Sequence, residues 1–120
     1  MAKRILLIED DQDLSTLVRA FLEHNDFEVS VAYDGKEGLE KAKEKPHLII
    51  LDLMLPKIDG VEVLKRIKYD PETASIPVVI LTARGESELI FETMEAGSYD
   101  YIIKPFDNKE LLATINRALK

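Results

Sequence analysis

The sequence predicts an α/β domain built as a doubly wound, five-stranded parallel sheet. Two observations carry this reading. Short, unbroken apolar runs, Ile5-Leu6-Leu7-Ile8, Leu48-Ile49-Ile50-Leu51 and Val78-Val79-Ile80-Leu81, are hydrophobic on every side, as strands covered on both faces of a parallel sheet must be. Amphipathic helical stripes lie between them, so strand and helix patterns alternate five times along the 120 residues.

The elements follow in order. After the first run, Leu14, Leu17, Val18, Phe21 and Leu22 recur at i, i+3, i+4, i+7 and i+8, the stripe of a helix. Phe27-Glu28-Val29-Ser30-Val31 alternates apolar and polar, the pattern of a less covered edge strand. Leu39 and Ala42 mark a second helix and Val63, Leu64 and Ile67 a third. Ile90 and Met94, one turn apart, mark a fourth. Tyr101-Ile102-Ile103 is the fifth strand, and Leu111, Leu112, Ile115 and Leu119 form the last stripe. Three helix starts pair an Asp with a Glu three residues on: Asp34/Glu37, Asp59/Glu62 and Asp107/Glu110. The Asp can cap an orphan amide and the Glu can reach back. An edge strand in second place favours the flavodoxin-like (βα)5 order 2-1-3-4-5.

Composition narrows the function. The chain is 46% hydrophobic and 32% charged, the balance of a globular domain, and its length suits a single domain. There is no apolar run of the ~20 residues a membrane helix needs and no signal-peptide pattern behind the basic start. The absence of cysteine removes disulfides, thiol nucleophiles and thiolate metal sites. A cytoplasmic location fits. The formal charge of −7 argues against direct nucleic-acid binding. His24 and His47 fall at a helix end and in a pre-strand loop, and both read as structural or surface residues.

The strand ends carry the chemistry. The first run ends in Glu9-Asp10-Asp11, the third in Asp52, the fourth in Thr82 and the fifth in Lys104-Pro105. In a parallel sheet these residues meet at one edge, outside the carboxyl ends of the strands. Two carboxylates ~5 Å apart repel by roughly 3 kcal/mol at an effective dielectric of about 20. A hard divalent cation with oxygen ligands is the natural counter-ion, and Mg²⁺ usually shares such carboxylates with a phosphate oxygen. Lys104 supplies a point charge for a phosphoryl oxygen, Thr82 a hydroxyl, and Asp52 a nucleophile that can form an aspartyl-phosphate.

At these residues the chain resembles a receiver domain of a two-component response regulator, of the chemotaxis-receiver type. The resemblance covers Ile5 through Asp11, the segment Leu51-Asp52-Leu53-Met54-Leu55-Pro56-Lys57-Ile58-Asp59-Gly60, Leu81-Thr82-Ala83, and Asp100-Tyr101-Ile102-Ile103-Lys104-Pro105-Phe106. It implies that Asp52 is the phosphoacceptor. Glu9, Asp10, Asp52 and the backbone carbonyl of Met54 would hold Mg²⁺, with Mn²⁺ as a substitute. Lys104 would sense the phosphoryl group, with a cis Lys104–Pro105 peptide bond. Thr82 and Tyr101 would be the switch residues. The implied function is a signalling switch and phosphoacceptor regulator rather than a multiple-turnover enzyme. It would be charged by the phospho-histidine of a sensor histidine kinase or phosphotransfer protein. Its response would remodel the face of helix four, strand five and helix five for a downstream output protein or domain. The side chains of Met54 and Arg84 stand where the family tunes phosphate lifetime. The expectation is one receiver domain over residues 1–120 with no output domain in this chain.

Departures from the family pattern are also visible. Ile90, Glu92, Thr114 and Asn116 stand where winged-helix regulators carry the charge pairs of their dimer, and Tyr99 replaces a frequent acid. The segment 69–77 resembles that of single-domain or hybrid-system receivers. Two other functions use related chemistry. A Mg²⁺-dependent aspartyl-nucleophile phosphohydrolase would want an acid two residues after Asp52, where Met54 stands. A flavin mononucleotide module would want a glycine- and hydroxyl-rich loop where Glu9-Asp10-Asp11 would repel phosphate.

Overall fold

The computed structural model describes residues 2–120. Five strands alternate with five helices: β1 (Arg4–Ile8), α1 (Gln12–His24), β2 (Glu28–Ala32), α2 (Gly35–Ala42), β3 (Leu48–Leu51), α3 (Gly60–Tyr69), β4 (Val78–Thr82), α4 (Ser87–Glu95), β5 (Asp100–Ile103) and α5 (Asn108–Ala118). All pairings are parallel and the order is β2-β1-β3-β4-β5. The alternating second strand does lie at an edge. Among the described residues, no helix is long and apolar enough to cross a membrane.

The unbroken apolar runs divide between two cores. Leu6, Ile8, Ile49, Leu51, Val78 and Ile80 face one side, with Ala42 of α2 and Val63, Leu64 and Ile67 of α3. Ile5, Leu7, Leu48, Ile50, Val79 and Leu81 face the other, with Val18 and Leu22 of α1 and Leu111 and Ile115 of α5. Successive strand residues point to opposite faces, so a strand covered on both sides must be apolar throughout. Helices on both faces make the sheet doubly wound.

Three helices turn differently from the sequence pattern. In α1 the buried face runs through Ser15, Val18 and Leu22, leaving Leu17 69% exposed. A small hydroxyl fits the close approach to the sheet, and Ser15 returns its own hydroxyl to the Gln12 carbonyl at 3.1 Å. In α4 the inward residue is Thr93, with Leu89 and Ala96 packing nearby, while Met94 is 61% exposed. Thr93 satisfies its Oγ1 on the Leu89 and Ile90 carbonyls. In α5, Thr114 is buried beside Leu111 and Ile115. It therefore cannot offer a surface charge position, contrary to the sequence expectation. Periodicity weighs apolar residues only and misses threonines that bond their own helix.

The capping signals hold in part. Asp34 accepts the Glu37 N–H at 2.8 Å, and Glu37 accepts the Tyr33 N–H at 2.8 Å. Asp107 caps α5 through Lys109 rather than Glu110. Asp59 precedes α3 without a side-chain cap bond. An unanticipated cap starts α1, where Asp11 accepts the Leu14 N–H at 3.1 Å. His47 is structural: its Nδ1 accepts the Arg4 N–H at 2.9 Å.

Candidate functional site at the carboxyl ends of the strands

Backbone bonds pin the strand ends together. The Asp52 N–H donates to the Ile8 carbonyl at 3.0 Å, the Glu9 N–H to Ala32 at 2.9 Å and the Lys104 N–H to Thr82 at 2.8 Å. The parallel register leaves Glu9, Asp52 and Lys104 just beyond paired residues, with Thr82 the last paired residue of β4. Their side chains cannot retreat from one another without breaking the ladder. Gly60 closes the wall behind Asp52: a Cβ there would lie 2.4 Å from Leu53 Cα and 2.5 Å from the Asp52 carbonyl oxygen.

Lys104 joins the first and third strand ends. Its Nζ donates to Glu9 Oε1 at 2.7 Å and to Asp52 Oδ2 at 3.0 Å. Glu9 is 2% exposed at its side chain and Asp52 7%. Backbone amides serve the remaining oxygens, Asp11 N–H to Glu9 Oε2 at 3.2 Å and Met54 N–H to Asp52 Oδ1 at 3.1 Å. The sequence assigned the lysine to a phosphoryl oxygen, and here its ammonium lies on the two carboxylates.

The electrostatics follow from burial. Desolvation pushes the Glu9 carboxyl from 4.5 up to about 7; the bond from Lys104 opposes this and the negative Asp52 adds to it. Burial acts to lower the Lys104 ammonium, but its bonds to Glu9 and Asp52 outweigh that and hold it above its ordinary value. The pair is thus fully ionic only above about pH 7.

Glu9, Asp10 and Asp52 each present a carboxylate oxygen, all within 4.8 Å of one another. Asp10 is exposed and the other two are buried, so the cluster opens to solvent on one side. An all-oxygen, multiply anionic donor set suits a hard divalent cation. Met54, 53% exposed, stands at the same edge. The Lys104–Pro105 peptide is cis.

Thr82 is buried, and its Oγ1 accepts the Arg84 N–H at 3.4 Å. The Tyr101 ring is half-buried against the same core as Leu89 and Ala96, and its hydroxyl donates to the Arg84 carbonyl at 2.5 Å. Burial, and the negative Glu86 nearby, push the phenol above its ordinary value. Sequence reasoning did not find this tie between β5 and the loop after β4. It also missed Lys57, whose ammonium lies 3.3 Å from Asp34 in a residue with φ of 71°. A residue pattern carries no sign of either contact; only the Asp11 cap had a legible signal, an acid three residues before Leu14.

Known proteins share this fold. The response regulator receiver domain model matches residues 5–116. The response regulator ArlR of Staphylococcus saprophyticus is 42% identical over 118 residues, covering 98% of this chain and 52% of that protein. The phosphate regulon transcriptional regulatory protein PhoB of Rhizobium meliloti is 39% identical over 121 residues, covering 100% of this chain and 53% of its own length. The chain thus spans about half the length of these relatives. Among solved structures, a CheY-like receiver domain protein from Methanospirillum hungatei superposes with a TM-score of 0.91 at 30% identity, over 99% of this chain and 94% of that one. Chemotaxis protein CheY4 of Vibrio cholerae gives 0.92 at 28% identity, over 99% and 100%. With this fold, this strand-end cluster and these relatives, the chain belongs to the receiver domain family of response regulators.

Proposed function

We propose that this receiver is a phosphorylation-dependent signalling switch whose phosphoacceptor is Asp52. The observation that carries the reading is the pair of bonds from Lys104 Nζ to Glu9 and Asp52, beside an acidic cluster open to solvent at Asp10. One ammonium and three carboxylates leave net negative charge where a dianionic group must arrive. Glu9, Asp10, Asp52 and the Met54 carbonyl would hold Mg²⁺, or Mn²⁺ in its place. When bound, the dication supplies the positive charge that lets a phosphoryl group approach a carboxylate.

In the proposed transfer a carboxylate oxygen of Asp52 attacks the phosphorus of a phospho-histidine in line. The phosphorus–oxygen bond forms as the phosphorus–nitrogen bond breaks, and the imidazole, which carries a proton on its other nitrogen, keeps the electron pair and leaves as the donor's neutral side chain. Lys104 moves with the new charge and gives a proton's hydrogen bond to a phosphoryl oxygen in place of its present carboxylate contacts. Thr82, next to the loop that Tyr101 ties through Arg84 O, turns its hydroxyl to a second oxygen. That couples the phosphoryl group to Tyr101 and the face of α4, β5 and α5, shifting a two-state equilibrium by differential contacts. The donor would be a sensor histidine kinase or phosphotransfer protein, and the reader of that face an output protein or domain. Incubation with a small phosphodonor and Mg²⁺ should add one phosphoryl group by intact mass, and Asp52→Asn should abolish it. Undiminished labelling of that variant would assign the acceptor elsewhere.

A further inference from the structure

Lys68 is a half-buried cation that the cluster at the strand ends does not use. It lies in the last turn of α3, and its Nζ donates to the Ala74 carbonyl at 3.0 Å and to the Ile76 carbonyl at 2.7 Å. Lys41, Lys57, Lys65 and Lys104 each meet a carboxylate. Among the described residues, Lys68 is the one lysine whose ammonium is held by hydrogen bonds and meets no carboxylate. Its stem supports the turn before β5: a Cβ on Gly97 would lie 3.4 Å from Lys68 Cγ and 3.5 Å from its Cδ.

This seat favours a nucleophile. The ammonium that rests there finds two carbonyls for its three N–H groups. A neutral amine spends both of its N–H groups on those carbonyls and keeps its lone pair free. Burial presses the same way and holds the ammonium below its ordinary value. The residue is also within reach of solvent, because it lines an open cleft of about 470 Å³ with Lys65, Tyr69, Glu92, Glu95 and Ala96. Glu92 is paired there with Lys65 at 3.3 Å.

We propose that Lys68 is an acylation site, whose amine takes the acyl group of a small acyl phosphate, and that the acylated side chain releases the segment between α3 and β4. The Nζ lone pair attacks the acyl carbon. The carbon–nitrogen bond forms, the carbon–oxygen bond to phosphate breaks, and inorganic phosphate leaves with that electron pair and takes up one amine proton. Lys65 stands in the same cleft to meet the departing phosphate, since its exposed pair with Glu92 is worth little. The product suits the site because an amide is neutral and escapes the desolvation that disfavours the ammonium. It keeps a single N–H for two carbonyls, so either Ala74 or Ile76 loses its donor. The inference stands apart from the Asp52 reading.

The test incubates the folded protein with acetyl phosphate and a chelator, which holds off the proposed transfer to Asp52. Acetylation of each lysine is timed by peptide mass spectrometry. Lys68 should react at least about threefold faster than the exposed Lys43 and Lys109. The same reaction in guanidinium chloride should erase the preference, because only the folded chain supplies the two carbonyls. In the folded sample, amide exchange across residues 70–77 should be faster where Lys68 carries the acetyl group than where it does not. A Lys68 rate at or below that of the exposed lysines overturns the proposal, as does a preference that survives unfolding. Acetylation that leaves exchange at 70–77 unchanged overturns the release of the segment. None of these results bears on whether Asp52 accepts a phosphoryl group.

Discussion

Replacing Glu9 by Gln should make the metal-free protein less sensitive to alkaline pH. The carboxyl rises from 4.5 to about 7 on folding, chiefly through burial. Between those values the folded state keeps a proton that the unfolded chain has lost. The contribution of Glu9 to stability is therefore fully present below about pH 4.5 and is lost as pH rises through about 7. At about 1.36 kcal/mol per pH unit, that span amounts to about 3 kcal/mol. Gln cannot ionise and escapes the loss. It has one oxygen for the two donors that Glu9 now serves, Asp11 N–H and Lys104, a handicap of about 1 kcal/mol. Protonated Glu9 shares that handicap at pH 4, so the informative quantity is the change in the gap between the two proteins. Urea titrations followed by far-UV circular dichroism, with chelator present, should show the gap widening by about 3 kcal/mol between pH 4 and pH 8, or roughly 10 °C in melting temperature. Charged groups remote from Glu9 contribute equally to both proteins and cancel. Parallel stability profiles would mean that Glu9 does not resist ionisation, and the electrostatic account of the site would fail.

Three further substitutions probe the scaffold. Lys57→Gly should raise the unfolding free energy by about 0.5–1 kcal/mol, read as a higher urea midpoint at unchanged m-value. Its φ of 71° costs more than its exposed pair with Asp34 returns; a lower midpoint would show the pair to dominate. Gly60→Ala should cost about 1–3 kcal/mol or more, because its Cβ would meet backbone atoms of Leu53 and Asp52 that cannot swing away; an unchanged melting temperature would refute this. Lys68→Met should cost about 2 kcal/mol, since the Lys68 ammonium donates to the Ala74 and Ile76 carbonyls at 3.0 and 2.7 Å. Hydrogen exchange should then quicken across residues 70–77, and uniform exchange along the chain would contradict a local tie.

Sequence and structure agree wherever burial is two-sided. Leu48-Ile49-Ile50-Leu51 can be nothing but a central strand, and its partners in both cores bear that out. The alternating Glu28–Ala32 strand is an edge for the converse reason. The strand-end residues were legible because parallel topology converts sequence position into spatial position. Side-chain contacts across loops were not. The Arg84–Glu86 pair is two residues apart, a spacing with no periodic signature, and the Tyr101–Arg84 bond spans 17 residues. Helix faces containing threonine were misjudged at Thr93 and Thr114, because a hydroxyl bonded within its own helix or to a neighbouring side chain packs as if apolar.

The same rigidity that makes the fold stable keeps its site under stress. Ile8 and Leu51 are fully buried, and the bond from Asp52 N–H to the Ile8 carbonyl fixes the two strand ends in register. A surface loop with Glu9 and Asp52 at its tip would relax until the carboxylates parted. Strands that end in a packed sheet cannot, so repulsion and desolvation persist as a raised Glu9 carboxyl and a lysine drawn between two acids. Stability alone would remove Glu9, since a neutral residue there suits the folded state better at neutral pH. What a neutral residue cannot do is present, with Asp10 and Asp52, the preformed set of oxygens that the proposed cation and phosphoryl group require. Stability and chemistry thus pull in opposite directions at one residue, and the apolar strands beneath it are what let the chemistry win.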